Sequence, residues 1–166
     1  AQSGKKGEPN SIVKSLKENS QANPNLGNNT QLTYDVVNKP NEALKLGIKS
    51  AKSSKNSFES VQIQNITRAK HIGIEFIKHN NYENAFLVAE PLCNMTMGEN
   101  KSDAALAIAI ALIDANQIKF ATKIATKVAV ISGKPKVMVA SEIAIYLIKN
   151  KHSAEADQIA SLLAEN

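Results

Sequence analysis

The sequence predicts an all-α fold of antiparallel helix pairs, and three observations predict it. From about residue 30 onward the apolar residues recur at helical spacing, and no stretch alternates polar and apolar residues as a half-buried strand does. The run from Ala104 to Ala115 is built of Ala, Ile and Leu except for Asp114. These are strong helix formers, and a helix apolar on nearly every side must be covered by others or cross a membrane. It is too short to cross, because a span takes about 20 apolar residues. The third observation is a period. An Ala-x-x-x-Ala step occurs at Ala85/Ala89, at Ala121/Ala125 and at Ala156/Ala160, with spacings of 36 and then 35 residues.

The elements follow in order. Residues 1–29 hold Gly4, Gly7, Pro9, Pro24 and Gly27 among many Asn, Ser and Lys, with few apolar side chains. Such a stretch buries too little apolar surface to offset the entropy of ordering, so it is expected to be a flexible N-terminal arm. Within it, Ser11 to Asn19 could form a short helix with Ile12, Val13 and Leu16 on one face if something receives it. Asn29 to Asn38 is expected as a short helix capped by Thr30. Pro40 suits the first position of the next helix, which runs to about Ser53. A long helix follows, capped by Asn56 or Ser57 and stopped at Asn80-Asn81. Tyr82 to about Leu92 is a helix that Pro91 kinks or ends. Met97 to Asn100 is a turn, Ser102 to Ala115 the buried helix, and Gln117 to Ile131 its partner. Ser132-Gly133-Lys134-Pro135 closes one helix and restarts the next, Lys136 to Lys149. Asn150-Lys151-His152 is a turn, and Ser153 caps a last helix to Ala164.

The first helix of each late pair repeats as well. Ile72-Gly73, Ile108-Ala109 and Ile143-Ala144 are followed three residues on by Phe76, Leu112 and Leu147. Small residues at recurring places let helices approach closely, and large neighbours fill the space beside them. With Tyr82 and Ala85, this pattern resembles the tetratricopeptide repeat, a helix-turn-helix unit of about 34 residues. The later units keep the small positions and lose the aromatics, and Ala69 stands where that family has Trp. The resemblance covers residues 66–166. It implies a tetratricopeptide-like α-solenoid of about three repeats, over 56–101, 102–136 and 137–166, with 30–55 as leading helices or an imperfect preceding pair.

In that family the first helices of the pairs line a concave groove that binds peptides or partner helices. Carried over unit by unit, the lining is Lys70, Ile74, Ile77 and Lys78, then Leu106, Ile110 and Ile113, then Met138, Ser141, Ile145 and Ile148. It lacks the Lys, Asn and Arg set with which one subclass grips a C-terminal carboxylate. Such an aliphatic groove suits an apolar or amphipathic helical segment of a partner protein. The chain's own residues 40–53, or a second copy in a homodimer, would fill it equally well.

Other chemistry is sparse. Lys and Arg total 20 against 15 Asp and Glu, giving a net charge of +5, but Arg68 is the only Arg. Base readout and bidentate phosphate binding favour Arg, so sequence-specific nucleic-acid binding is not expected. The alternative that the charge does permit is non-specific binding of nucleic acid or an anionic surface through the arm and through Lys45, Lys49, Lys52 and Lys55 on one helix face. His71, His79 and His152 have no metal-ligand spacing, and Glu75, Glu83 and Glu90 form no distinctive pair. Gly133-Lys134 lacks the remainder of a phosphate loop. Cys93, the single cysteine, is expected as a small buried hydrophobe. The function expected is a non-enzymatic scaffold or adaptor without cofactor or metal. The Ala1-Gln2-Ser3 start suggests a mature end, hence a periplasmic or secreted bacterial assembly such as a secretion or pilus apparatus, with a cytoplasmic setting as alternative.

Overall fold

The computed structural model describes residues 24–52, 58–94, 99–131 and 134–165. The expected arm before Pro24, the short helix from Ser11 and the caps at Asn56 or Ser57 lie outside them. The described residues form eight α-helices and no strand. They are α1 Pro24–Asn38, α2 Pro40–Ala51, α3 Glu59–Lys78, α4 Tyr82–Ala89, α5 Glu99–Asp114, α6 Ile118–Ala129, α7 Lys134–Lys149 and α8 Ser153–Glu165. A 3-10 turn, Glu90–Cys93, continues α4 where Pro91 removes a backbone donor. No described helix is long and apolar enough to cross a membrane.

Several boundaries differ from expectation for local reasons. Helix α1 starts at Pro24 rather than Asn29, which takes residues 24–29 out of the expected arm, and Thr30 lies inside the helix instead of capping it. Helix α5 starts at Glu99, three residues before Ser102. Ser153 is the first residue of α8, and the N–H of Ala156 bonds to the carbonyl of His152 one position earlier.

Successive helices pair as hairpins: α1 with α2, α3 with α4, α5 with α6 and α7 with α8. The first helices then touch in series, α1 to α3 to α5 to α7, and the second helices do the same, α2 to α4 to α6 to α8. Helices α1 and α2, in the stretch read as leading helices, thus form a hairpin that packs on the next one as the later hairpins do. Its second helix is packed between α3 and α4, so residues 40–51 belong to the second-helix layer and do not fill a groove along the first helices.

Three of the four hairpin turns are one structure. Asn80, Asn116 and Lys151 take the left-handed conformation, with φ of 63°, 59° and 68°. The next residue's N–H reaches back to the carbonyl five residues earlier: Asn81 to Phe76 at 2.8 Å, Gln117 to Leu112 at 2.7 Å and His152 to Leu147 at 2.8 Å. This Schellman geometry satisfies carbonyls that a helix end would otherwise leave unpaired. The α1–α2 turn lacks it, because Pro40 starts α2 directly after Lys39.

Packing explains the alanine steps. Ala43, Ala85, Ala121 and Ala156, each the fourth residue of its helix, are all buried. Four residues on stand Gly47, Ala89, Ala125 and Ala160, and the first three are buried. A Cβ on Gly47 would lie 2.8 Å from Val88 Cγ2, so this position faces the following hairpin. Ala160 is exposed because no described hairpin follows α8. In the first helices, a Cβ on Gly73 would lie 2.7 Å from Ile108 Cδ1, so the small residue receives the isoleucine of the next unit. Phe76, Leu112 and Leu147 are fully buried beside these crossings. Ala121→Leu is therefore expected to overpack α6 and cost about 1–3 kcal/mol, whereas Lys119→Leu, at an exposed site of the same helix, should cost under about 0.5 kcal/mol. Urea unfolding of the two variants makes the comparison, and equal costs would refute close packing at the step.

Candidate partner-binding face

The first-helix layer carries the side chains that the sequence assigns to a binding groove. Lys70, Ile74, Leu106, Ile110 and Ser141 are half-buried, and Lys78, Met138, Ile145 and Ile148 are exposed. Ile77 and Ile113 are buried, so they do not line an open groove. Each lies four residues after the small residue that faces the next hairpin, hence on that same side of its helix. The following hairpin covers them. What remains is an aliphatic row at one repeat position, Ile74, Ile110 and Ile145, each directly after the small residue of its unit. Lys78, Asp114 and Lys149 border it on the turn side and are exposed.

Polar contacts tie successive first helices together along this layer. The Thr33 hydroxyl of α1 donates to Glu75 Oε1 of α3 at 3.0 Å. Glu75 is buried, and its other oxygen is 3.1 Å from Lys78 Nζ. Its first oxygen is also 4.0 Å from His79 Nε2. On α7, the Tyr146 hydroxyl donates to Asp114 Oδ1 of α5 at 2.5 Å, and this bond to a carboxylate holds the phenol above its ordinary pKa. A cavity of about 150 Å³ opens between α3 and α5, with Lys70 and Asp103 on its walls and Ile66 beneath.

The second-helix layer has a different surface. Phe86 of α4 and Phe120 of α6 lie 5.8 Å apart, with Lys123 Nζ 5.7 Å from both ring centres. Lys127 pairs with Glu90 at 3.0 Å. A shallower, larger depression of about 440 Å³ between α6 and α8 is walled by Lys119, Lys123, Thr122 and Glu155 over Ile118. Lys45 and Lys49 of α2 and Lys52 directly after it are exposed, at i, i+4 and i+7, with Lys55 outside the described residues.

Among the described residues no group of His, Cys, Asp and Glu could hold a metal ion. His71 and His152 are half-buried and far apart in the chain, and His79 is exposed. Two buried lysines, Lys101 and Lys136, were not anticipated; they occupy one repeat position and both have partners. Their 35-residue separation was the available signal.

Cys93 is buried in the 3-10 turn and donates to the Ala89 carbonyl at 3.4 Å. Burial pushes its thiol from 9.0 up to about 12, against a smaller pull from Lys127. It should therefore resist a thiol reagent at pH 8 in the folded protein and react at once in denaturant, since the thiolate is the reactive form. The linkage has a definite sign: the unfolded chain ionises near 9.0 and the folded chain only near 12, so this group lowers stability as pH rises through that window and leaves it unchanged below. Cys93→Ala should flatten that part of the pH–stability curve.

The chain matches no protein-family model, no curated protein and no solved structure.

Proposed function

We propose that this chain is a protein-interaction module, a tetratricopeptide-like α-solenoid whose first-helix face holds an apolar or amphipathic helical segment of a partner protein. The observation that carries the reading is the Ile74, Ile110 and Ile145 row, which keeps aliphatic surface accessible at one position of three consecutive hairpins. A helix laid along such a row would meet an isoleucine at each of the last three hairpins and could place charged residues against Lys78, Asp114 and Lys149, which alternate in sign. The solenoid assignment draws support from the repeated Schellman turns and from helix contacts confined to neighbouring hairpins. The depression between α6 and α8 is larger but is walled by exposed lysines, which makes it the weaker receptor for an apolar segment.

The test is a paired substitution. Ile110→Ser with Ile145→Lys should leave the fold intact, because neither side chain is fully buried, and should weaken capture of the partner at least tenfold, as for loss of interface anchors. Lys119→Glu, on the other layer, should leave capture unchanged. Loss of capture with Lys119→Glu but not with the isoleucine pair would overturn the assignment of the face. A second reading rests on the exposed Lys45 and Lys49 of α2 with Lys52 at its end, which could hold a polyanion. Affinity through that face must fall steeply with salt, and affinity through the isoleucine row must not.

A further inference from the structure

One joint of the second-helix layer is filled by rings and the next is not. Phe86 directly follows Ala85, Phe120 directly precedes Ala121, and the two rings meet between α4 and α6 with centres 5.8 Å apart. Between α6 and α8 the same repeat positions are Thr122, after Ala121, and Glu155, before Ala156. Neither brings a ring, and the depression of about 440 Å³ over Ile118 opens there. Its two threonines use their hydroxyl donors within α6. Thr122 donates to the Ile118 carbonyl at 2.8 Å and Thr126 to the Lys123 carbonyl at 3.1 Å. The rim is net basic, with exposed Lys119 and Lys123 against the one carboxylate of Glu155. Lys123, which lies 5.7 Å from the centres of both Phe86 and Phe120, lines this depression as well. Both walls belong to described helices, so the depression is a joint within the stack and not its end.

A matching knob stands elsewhere on the chain. Phe58, immediately before α3, is 83% exposed, more than any other large apolar side chain among the described residues. Glu59 beside it opens α3 and is exposed too. We propose that the Phe58–Glu59 tip of one copy docks in the α6–α8 depression of a second copy. The ring then takes the place that the Phe86–Phe120 pair takes in the preceding joint, with Lys123 against its face and the Glu59 carboxylate toward Lys119. A single chain cannot make this contact, because Phe58 belongs to the first-helix layer and the depression opens on the second, along later hairpins. Glu155 in the rim disfavours a polyanion, whereas one carboxylate beside a ring fits on the lysine side. Tip and depression are unlike surfaces, so the association is head-to-tail, and each added copy leaves one of each free. The inference is independent of the isoleucine row, which lies on the other layer.

Sedimentation equilibrium of the full chain over a wide concentration range tests it. The mean mass is expected to rise above the 17.9 kDa of the single chain as concentration increases. Phe58→Ala should weaken self-association at least tenfold. Thr122→Phe puts into the depression the ring that the preceding joint carries at that position, and should block association to the same extent. Circular dichroism melts of dilute protein should show both variants folded. The decisive step is to mix them. Each is monomeric alone, but the Phe58→Ala chain keeps its depression and the Thr122→Phe chain keeps its tip, so the pair should form a complex of twice the chain mass and stop there. Ile145→Lys, on the first-helix face, should leave self-association unchanged. A chain that stays monomeric at all concentrations would overturn the proposal. So would an oligomer indifferent to Phe58→Ala, one dispersed by Ile145→Lys, or two folded monomeric variants that fail to combine.

Discussion

Replacing Phe76 with Ala is expected to cost about 3–5 kcal/mol, a large share of the roughly 5–15 kcal/mol that holds a domain of this size together. Phe76 is fully buried and is the largest side chain in the core. It also sits where the α3–α4 turn closes, since its carbonyl accepts the N–H of Asn81. Truncation leaves a cavity in a core whose other members, Ile72 and Ala85 among them, are fully buried. The control is Phe58→Ala. Phe58 precedes α3, is 83% exposed, and should change stability by less than about 0.5 kcal/mol. Urea unfolding at constant m-value measures both, and a cost below 1 kcal/mol for Phe76 would mean that the first-helix layer does not pack as described.

The second large effect separates two isoleucines at one repeat position. Ile113→Ser is expected to cost about 3 kcal/mol or more, because it both opens a cavity and buries a hydroxyl. Ile148→Ser should cost about 0.5 kcal/mol or less when measured on dilute protein. The side chains are the same, the helices are equivalent, and only the presence of a following hairpin differs. Equal costs would show that α7 does not cover Ile113, and the register of the stack would be wrong by at least one residue.

Much of this arrangement was legible in the residues themselves. The alanine steps and the Ile-small pairs announce close crossings because no larger side chain fits there, and burial of Ala85, Ala121 and Ala156 follows that logic. The isoleucine row was found through the same period. The burial of Ile77 and Ile113 was missed because a groove template assigns that position by resemblance, whereas its environment is set by how closely the next hairpin approaches. The clue was present: each is four residues beyond the small residue that faces that hairpin. The first hairpin was only half seen. Ala43 and Gly47 repeat the step, but 42 residues separate Ala43 from Ala85, and α3 is 20 residues long where α5 has 16. Pro40 also replaces the left-handed turn that marks the other three. The third of those turns falls where Asn150-Lys151-His152 is expected to turn, but its left-handed residue was not legible, because a lysine carries none of the preference for positive φ that Asn80 and Asn116 announce.

The confinement of helix contacts to neighbouring hairpins has a kinetic side. No substantial contact asks the chain to bring together residues more than one hairpin apart, so each joint closes over a short loop whose entropy cost is small. A chain wired in this way belongs with the fast-folding helical proteins, which find their native pairing without searching for remote partners. Any of the four hairpins can start the process, and growth then proceeds to either side. The reverse path begins where a hairpin has only one neighbour. Amide hydrogens should accordingly exchange fastest in α1 and α8 and slowest in α4 and α5, as a gradient along the stack rather than a single step.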